Sequence, residues 1–357
     1  MSRPWLKWVP AVAVPAVIVV GVLAAPLQAG AAVDLPEKTP KQVLELAAGS
    51  GVDTFSGTLE QSSDLGLPEL PSTGDAATSE VSDALELLTG SHTVRVYQNG
   101  ADKSRVQVRY PMSERNLIQN GSDVWLYDSA DNTAAHTTLP DAAAGRTSPE
   151  ETYTPSDLAD TFLADVTPNT IVSLGENTQI AGRGAYELVL TPNTADTLVG
   201  SVAIAVDSDT GLPLRVQVFA SDAAEPAIEV TFTAVSFEAP DADLFAFTPP
   251  AGATVTEETL PERGDATPDK TPKADQTDHG GATVVGTGWD AVIAVPASAD
   301  GSGLAELTTS PLYTQLTEAV DGGRALRSTL LSVLITDDGR VFAGSVSVER
   351  LQAVAAE

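Results

Sequence analysis

The sequence predicts an α+β protein. Its main body is one strongly curved antiparallel β-sheet, a half-barrel with helices covering its open side, and a small C-terminal α+β unit follows. Three observations predict this. From Gly182 to Val255 the chain reads GRGAYELVLTPN, VAIAVDSDTGLPLRVQVFA and IEVTFTAVSFEAPDADLFAFTPPAGATV, long runs of period two separated by turn clusters. A second alternating set between Thr93 and Tyr127 turns at Asn99-Gly100 and Asn120-Gly121, both strong hairpin dipeptides. Finally, Pro261 to Ala282 contains no Val, Ile, Leu or Phe. It therefore cannot bury a core, and it sets the last segment apart as a separate unit.

The elements follow in order. Arg3 and Lys7 precede an uncharged run from Trp8 to Leu27, which reads as an export segment: either a cleaved signal with Ala29-Gly30-Ala31 as processing site, or a retained membrane anchor. Either reading puts the remainder outside the cytoplasm, since the positive flank stays inside. The expected organisation is 1–32 signal or anchor, 33–260 main domain, 261–282 linker and 283–357 small domain.

Thr39 to Ala48 should form a helix with Thr39 as N-cap and Pro40 in the first turn, ended by Gly49 and Gly51. Val43, Leu44 and Ala47 fall on one face of it. The strand Thr54 to Gln61 comes next, then a polar loop from Ser62 to Ser79 and a short helix from Val81 to Leu88. The meander comprises Thr93–Gln98, Ser104–Tyr110, Glu114–Gln119 and Val124–Tyr127. Thr154 and Pro155 open a further helix carrying Leu158, Phe162, Leu163 and Val166. In the C-terminal unit, Ala291–Val295 reads as a strand. A helix from Pro311 with Leu312, Leu316 and Val320 is expected to stop at Gly322-Gly323, and Leu326–Thr336 with Arg340–Val348 should pair about Asp338-Gly339.

Composition removes whole classes of function. The net charge of -30 repels nucleic-acid phosphates and anionic lipid surfaces. No cysteine is present, so disulfides, zinc thiolates, thiol nucleophiles and lipidation of the chain itself are not expected. Of the imidazoles His92, His136 and His279, none belongs to an H-E-x-x-H pair, and there is no G-x-S-x-G elbow. Gly286 to Ala291 fits G-x-G-x-x-A loosely, but Pro296 cuts off the helix a dinucleotide site needs. Asp207-Ser208-Asp209-Thr210-Gly211 opens like a calcium loop, yet Leu212 and Val218 stand where glycine and glutamate are required, so it reads as a hairpin turn. The reading is of a non-enzyme with no catalytic residues, metal or cofactor.

What the alternation does supply is an apolar sheet face: Phe55, Leu59, Val94, Val96, Val106, Val108, Leu188, Leu190, Val216, Val218, Val230 and Phe232. These are the candidate ligand-binding residues. The chain also resembles the lipoprotein-carrier superfamily that includes LolA, LolB and RseB (MucB). The matching elements are Gly182-Arg183 leading into Tyr186-Glu187-Leu188, the turn from Asp207 to Leu214 with Thr210-Gly211-Leu212-Pro213-Leu214, and the strand ending at Phe237. A helix followed by FSGTLEQ, the segment IQNGSDVWLYD, and the C-terminal order of Trp289, Pro296 and Asp338-Gly339 extend it.

The resemblance implies a cell-envelope protein that holds acyl chains or lipoproteins in an apolar hollow, as a carrier or receptor. The alternative it implies is an RseB-like envelope-stress regulator acting through protein contacts. A lipid acyl chain or lipoprotein is the implied ligand, and a membrane-bound regulator or an ABC transporter the implied partner. The added C-terminal unit sets this chain apart from the compact LolA carriers.

Overall fold

The computed structural model describes residues 33–67, 90–110, 112–139, 169–258, 282–297 and 311–357. The leader, the helices expected at Val81–Leu88 and after Pro155, and nearly all of the linker lie outside the described residues. No helix among the described residues is long and apolar enough to cross a membrane.

Helix α1 (Pro40–Ala48) starts where the capping signal lies. The Thr39 hydroxyl accepts from the Gln42 backbone amide, and the Gln42 side chain returns to the Thr39 amide, closing a capping box. Val43 and Ala47 are buried, one turn apart on the face turned to the sheet.

The main sheet has thirteen strands. They are Thr54–Ser63 (β1), Gly90–Asn99 (β2), Lys103–Arg109 (β3), Glu114–Asn120 (β4), Asp123–Asp128 (β5), Thr133–Thr138 (β6), Thr170–Leu174 (β7), Thr178–Ile180 (β8), Arg183–Pro192 (β9), Val199–Asp207 (β10), Pro213–Ala220 (β11), Pro226–Ser236 (β12) and Thr254–Glu258 (β13). Their spatial order is β13-β6-β5-β4-β3-β2-β1-β12-β11-β10-β9-β7, with β8 also on β9. The sheet is curved and does not close, and with α1 on it the half-barrel class holds. One pairing departs from the antiparallel expectation: β13 runs parallel to β6. The strands β6, β7 and β8 do not stand out in sequence, because β6 is rich in threonine and β7 and β8 are only five and three residues long.

A second, six-stranded sheet forms the C-terminal unit, in the order β14-β15-β19-β18-β17-β16. Its elements are Thr283–Val285 (β14), Val292–Val295 (β15), Pro311–Leu316 (α2), Glu318–Val320 (β16), Gly323–Arg327 (β17), Ser332–Thr336 (β18), Val341–Gly344 (β19) and Val348–Ala355 (α3). Three expectations are corrected here. The helix from Pro311 ends at Leu316, because Asp321-Gly322 turns Val320 into a hairpin with β17, with Gly322 at φ 81°. The strand expected from Leu326 to Thr336 breaks at Ser328, whose amide and hydroxyl bond back to Leu331. The last strand stops at Gly344. Ser347 then caps α3 by accepting from the Arg350 amide, and Val348, Leu351 and Val354 are buried on one face. The hairpin about Asp338-Gly339 forms as expected.

Candidate functional site

Residues directly opposite in a ladder share a face, as do residues two apart in a strand. Leu174, Leu188, Ile204, Val216 and Val230 are successive partners across β7, β9, β10, β11 and β12. Val172, Leu190, Val202, Val218 and Ile228 make the next row. Phe232, Leu59, Val94 and Val108 carry the face across β12, β1, β2 and β3, and Gly57, Val96 and Val106 run beside them. Phe55 stands two residues before Gly57. The register thus brings all twelve predicted residues to one face spanning seven strands from β9 to β3.

Their packing differs along that face. Phe55, Leu59, Val94, Val96, Val230 and Phe232 are buried in one cluster, with Val106 and Val108 half-buried against it. Leu188 and Leu190 are buried in a second, which includes Val43 and Ala47 of α1, with Val216 and Val218 half-buried at its side. Gly57 is needed where β1 passes the Phe232 ring. A Cβ there would lie 2.4 Å from the Phe232 ring, which makes an edge-on contact with Phe55 at 6.2 Å.

Polar fixtures hold the strands that carry this face. Asp207, fully buried at the end of β10, accepts from Arg183 Nε at 2.5 Å and from its terminal nitrogen at 2.8 Å. It also accepts from the Asp209 and Thr210 amides and the Thr210 hydroxyl. Burial pushes this carboxyl up, but the Arg183 and Thr210 hydrogen bonds outweigh it and hold it below the usual aspartate value. The turn's resemblance to a calcium loop is thereby explained away, because Arg183 and the turn's own donors use the acceptor oxygens. Gly211 follows at φ 77°, so close to α1 that a Cβ would sit 2.2 Å from the Leu46 carbonyl oxygen. The Arg183 guanidinium also lies over the Phe237 ring, 4.9 Å from its centre. The family-like residues Arg183, Asp207, Gly211 and Phe237 thus form one brace. No local pattern joins Arg183 to Asp207, which are 24 positions apart.

The opposite face of the same strands is polar. Arg215 on β11 reaches across Ala205 to both carboxylate oxygens of Glu187, at 2.9 and 3.0 Å. Glu60 on β1 lies in the same row, beyond Thr231. Only 6% of Glu60 is exposed and its Oε1 has no hydrogen-bond partner. Burial pushes its carboxyl up to about 7. Nothing in the alternation TFSGTLEQ marks this glutamate as buried.

At the far edge His136 on β6 stacks on Trp125, with ring centres 4.2 Å apart. Its Nδ1 lies 2.8 Å from Glu257 on β13 and its Nε2 3.0 Å from Asp123 on β5. Only the doubly protonated ring can donate to both. Burial pushes the imidazole down, but the two carboxylates prevail and raise it. No group of three or more His, Asp or Glu among the described residues could hold a metal ion.

The C-terminal unit is docked on the β7–β10 side. Trp289 Nε1 donates to Thr170 Oγ1 at 2.8 Å. The Ser345 carbonyl accepts from the Leu198 amide and the Thr197 hydroxyl. The Thr329 amide donates to the Leu65 carbonyl at 2.9 Å. Leu330, at the tip of the β17–β18 turn, is buried in the cluster that holds Leu188 and Leu190, with Trp289 packed against it.

These features define a class: a two-sheet α+β protein whose large open sheet carries one continuous apolar face. Residues 70–257 match the family described as "Predicted periplasmic protein (DUF2092)", more than half of the chain, and the protein belongs to that family. The extracytoplasmic location expected from the leader agrees with that description. Among solved structures the chain is similar to the MucA/MucB complex of Pseudomonas aeruginosa. There the identity is 17%, coverage is 88% of this chain and 96% of that one, and the TM-score is 0.44. It is also similar to a LolA superfamily protein of Nitrosomonas europaea, with 13% identity, 59% and 99% coverage and a TM-score of 0.24. No curated protein matches.

Proposed function

We propose that the protein is a non-enzymatic binding protein of the cell envelope, accepting an acyl chain or a lipidated partner against the apolar face of its main sheet. The observation that carries this reading is the register itself. It aligns the twelve apolar residues on one face, and it leaves Val106, Val108, Val216 and Val218 only half-buried beside fully buried neighbours. A hydrocarbon chain needs no reactive group to be held there: each buried methylene is worth about 0.8 kcal/mol. A chain of roughly 15 carbons would therefore supply on the order of 12 kcal/mol before ordering costs.

Titration of the delipidated full-length protein with a fluorescent long-chain fatty acid tests the proposal, alongside native mass spectrometry of protein taken from membranes. Saturable uptake and co-purified lipid are expected. Val216→Asp should abolish uptake while leaving the fold, because a half-buried site lets water reach the carboxylate. Ser173→Asp, on the exposed opposite face of β7, should change neither. A protein that is empty and takes up no fatty acid refutes the reading.

A second reading, regulation through contacts with a membrane-bound protein, is favoured by one observation. Val284 and Ile293, cross-strand partners in the C-terminal sheet, are 63% and 50% exposed. Loss of a specific membrane partner on Ile293→Lys, with fatty-acid uptake intact, would support it.

A further inference from the structure

The four predicted face residues on β9 and β11, Leu188, Leu190, Val216 and Val218, share their cluster with a side chain from outside the main sheet. Leu330 comes from the turn between β17 and β18 and is buried there, with Trp289 from the turn before β15 at the cluster's margin. The next residue, Leu331, is 40% exposed. The tip therefore inserts one leucine and leaves its neighbour outside. Among the described residues, hydrogen bonds between the C-terminal unit and the main sheet run from Thr329 to Leu65, from Trp289 to Thr170, and from Leu198 and Thr197 to Ser345. Gly66 allows the tip to approach, since a Cβ on it would lie 3.0 Å from Thr329 Oγ1.

We propose that the β17–β18 tip is a built-in stopper, in which Leu330 occupies part of the apolar face that an acyl chain would use, so that ligand entry and docking of the C-terminal unit compete. This rests on the acyl-binding reading above. Leu330 is an isobutyl group in a cluster of aliphatic side chains, so a methylene chain is its chemical equivalent and can replace its contacts one for one. The hydrogen bonds that join the C-terminal unit to the main sheet use backbone, hydroxyl and indole groups, which water can satisfy once the tip leaves. A docked stopper lowers apparent affinity by the fraction of molecules in which the face is free. By reciprocity, bound ligand weakens docking by the same factor.

The test uses the full chain and a fluorescent long-chain fatty acid. Leu330→Ala should raise apparent affinity by about ten-fold or more, as expected when the binding-competent fraction grows. In the wild type, bound fatty acid should speed hydrogen exchange at the Thr329 and Leu198 amides. A second variant guards against a trivial loss of fold. Because the chain has no cysteine, Gly66→Cys with Thr329→Cys introduces a single thiol pair at a separation suited to a disulfide. Uptake should be lost in the oxidised form and restored by reductant, with the reduced form controlling for strain at Gly66, whose φ is 64°.

Wild-type uptake that is unchanged or weakened by Leu330→Ala, unaffected by oxidation of the thiol pair, and without faster exchange at Thr329 overturns the stopper and leaves acyl binding standing. Uptake absent from the wild type but present in Leu330→Ala supports the stopper. Absence from the wild type, from Leu330→Ala and from the reduced double variant alike overturns acyl binding itself, and the stopper with it.

Discussion

Glu60 offers a quantitative test of the polar face. Its side chain lies between Thr93 and Thr231 in the register of β1, almost wholly buried, with one oxygen unpartnered. The carboxyl moves from its usual 4.5 in the open chain to about 7 in the folded protein. The raised value means that the folded state keeps a proton the unfolded state has lost, so stability falls as pH rises from 4.5 and the loss is complete above about 7. At 1.36 kcal/mol per pH unit, the penalty at pH 8 is on the order of 3 kcal/mol.

Glu60→Gln keeps the shape and removes the charge. It should therefore stabilise the protein by about 2–3 kcal/mol at pH 8 and by less than about 1 kcal/mol at pH 5. Urea unfolding followed by circular dichroism at both pH values measures the difference directly. An equal effect at the two pH values, or destabilisation at pH 8, would mean that Glu60 is solvated or partnered in the folded protein and would refute the reasoning.

Three further outcomes follow from the same geometry. Asp207→Ala strands Arg183 and the turn donors and should cost about 3–5 kcal/mol, read as a fall in melting temperature of several degrees. Asp207→Asn should also remove the part of acid unfolding that appears below pH 4, where a carboxylate held low in the folded state takes up its proton. The raised His136 works in the opposite sense: its contribution is present below about 6.5 and lost as pH rises through the folded value, so the protection of amides along β13, relative to their intrinsic exchange at each pH, should fall in alkali. His136→Phe should flatten that dependence. Gly211→Ala meets both a left-handed backbone and the Leu46 carbonyl, and should destabilise by at least about 2 kcal/mol in thermal melts.

The main sheet was legible because its long strands alternate cleanly. In β9 Tyr186, Leu188 and Leu190 alternate with their neighbours, as Val94 and Val96 do at the centre of β2, and one buried face imposes that period on the sequence. Helix α1 was legible from Thr39-Pro40 at its start and Gly49 and Gly51 at its end, where the caps are local chemistry. The C-terminal unit was less so. Elements of three to six residues such as β16 and α2 are decided by what pairs with them, and the sequence around Leu316 to Val320 satisfies a helical period as well as a hairpin. Of the candidate site, the apolar row could be read from sequence. The brace of Arg183 with Asp207, the burial of Glu60 and the arrival of Leu330 from another sheet could not, because each depends on residues brought together from far along the chain.

The parallel strand β13 has a consequence for how the two units communicate. It occupies one edge of the main sheet, beside β6, whereas the C-terminal unit rests near β7 and β10 at the other end of the strand order. Following the sheet, eleven inter-strand steps of about 4.8 Å make an arc of roughly 50 Å. The residues between Glu258 and Thr283 can reach about 80 Å at most. The chain thus leaves the main sheet at one lip of the open half-barrel while the C-terminal unit is seated toward the other, and a C-terminal unit that leaves its seat is not lost to solution. It stays at an effective concentration on the order of millimolar for short linkers. Any occupant of the apolar face therefore contends with a rival that never dilutes away, and the protein resets itself as soon as that occupant is withdrawn.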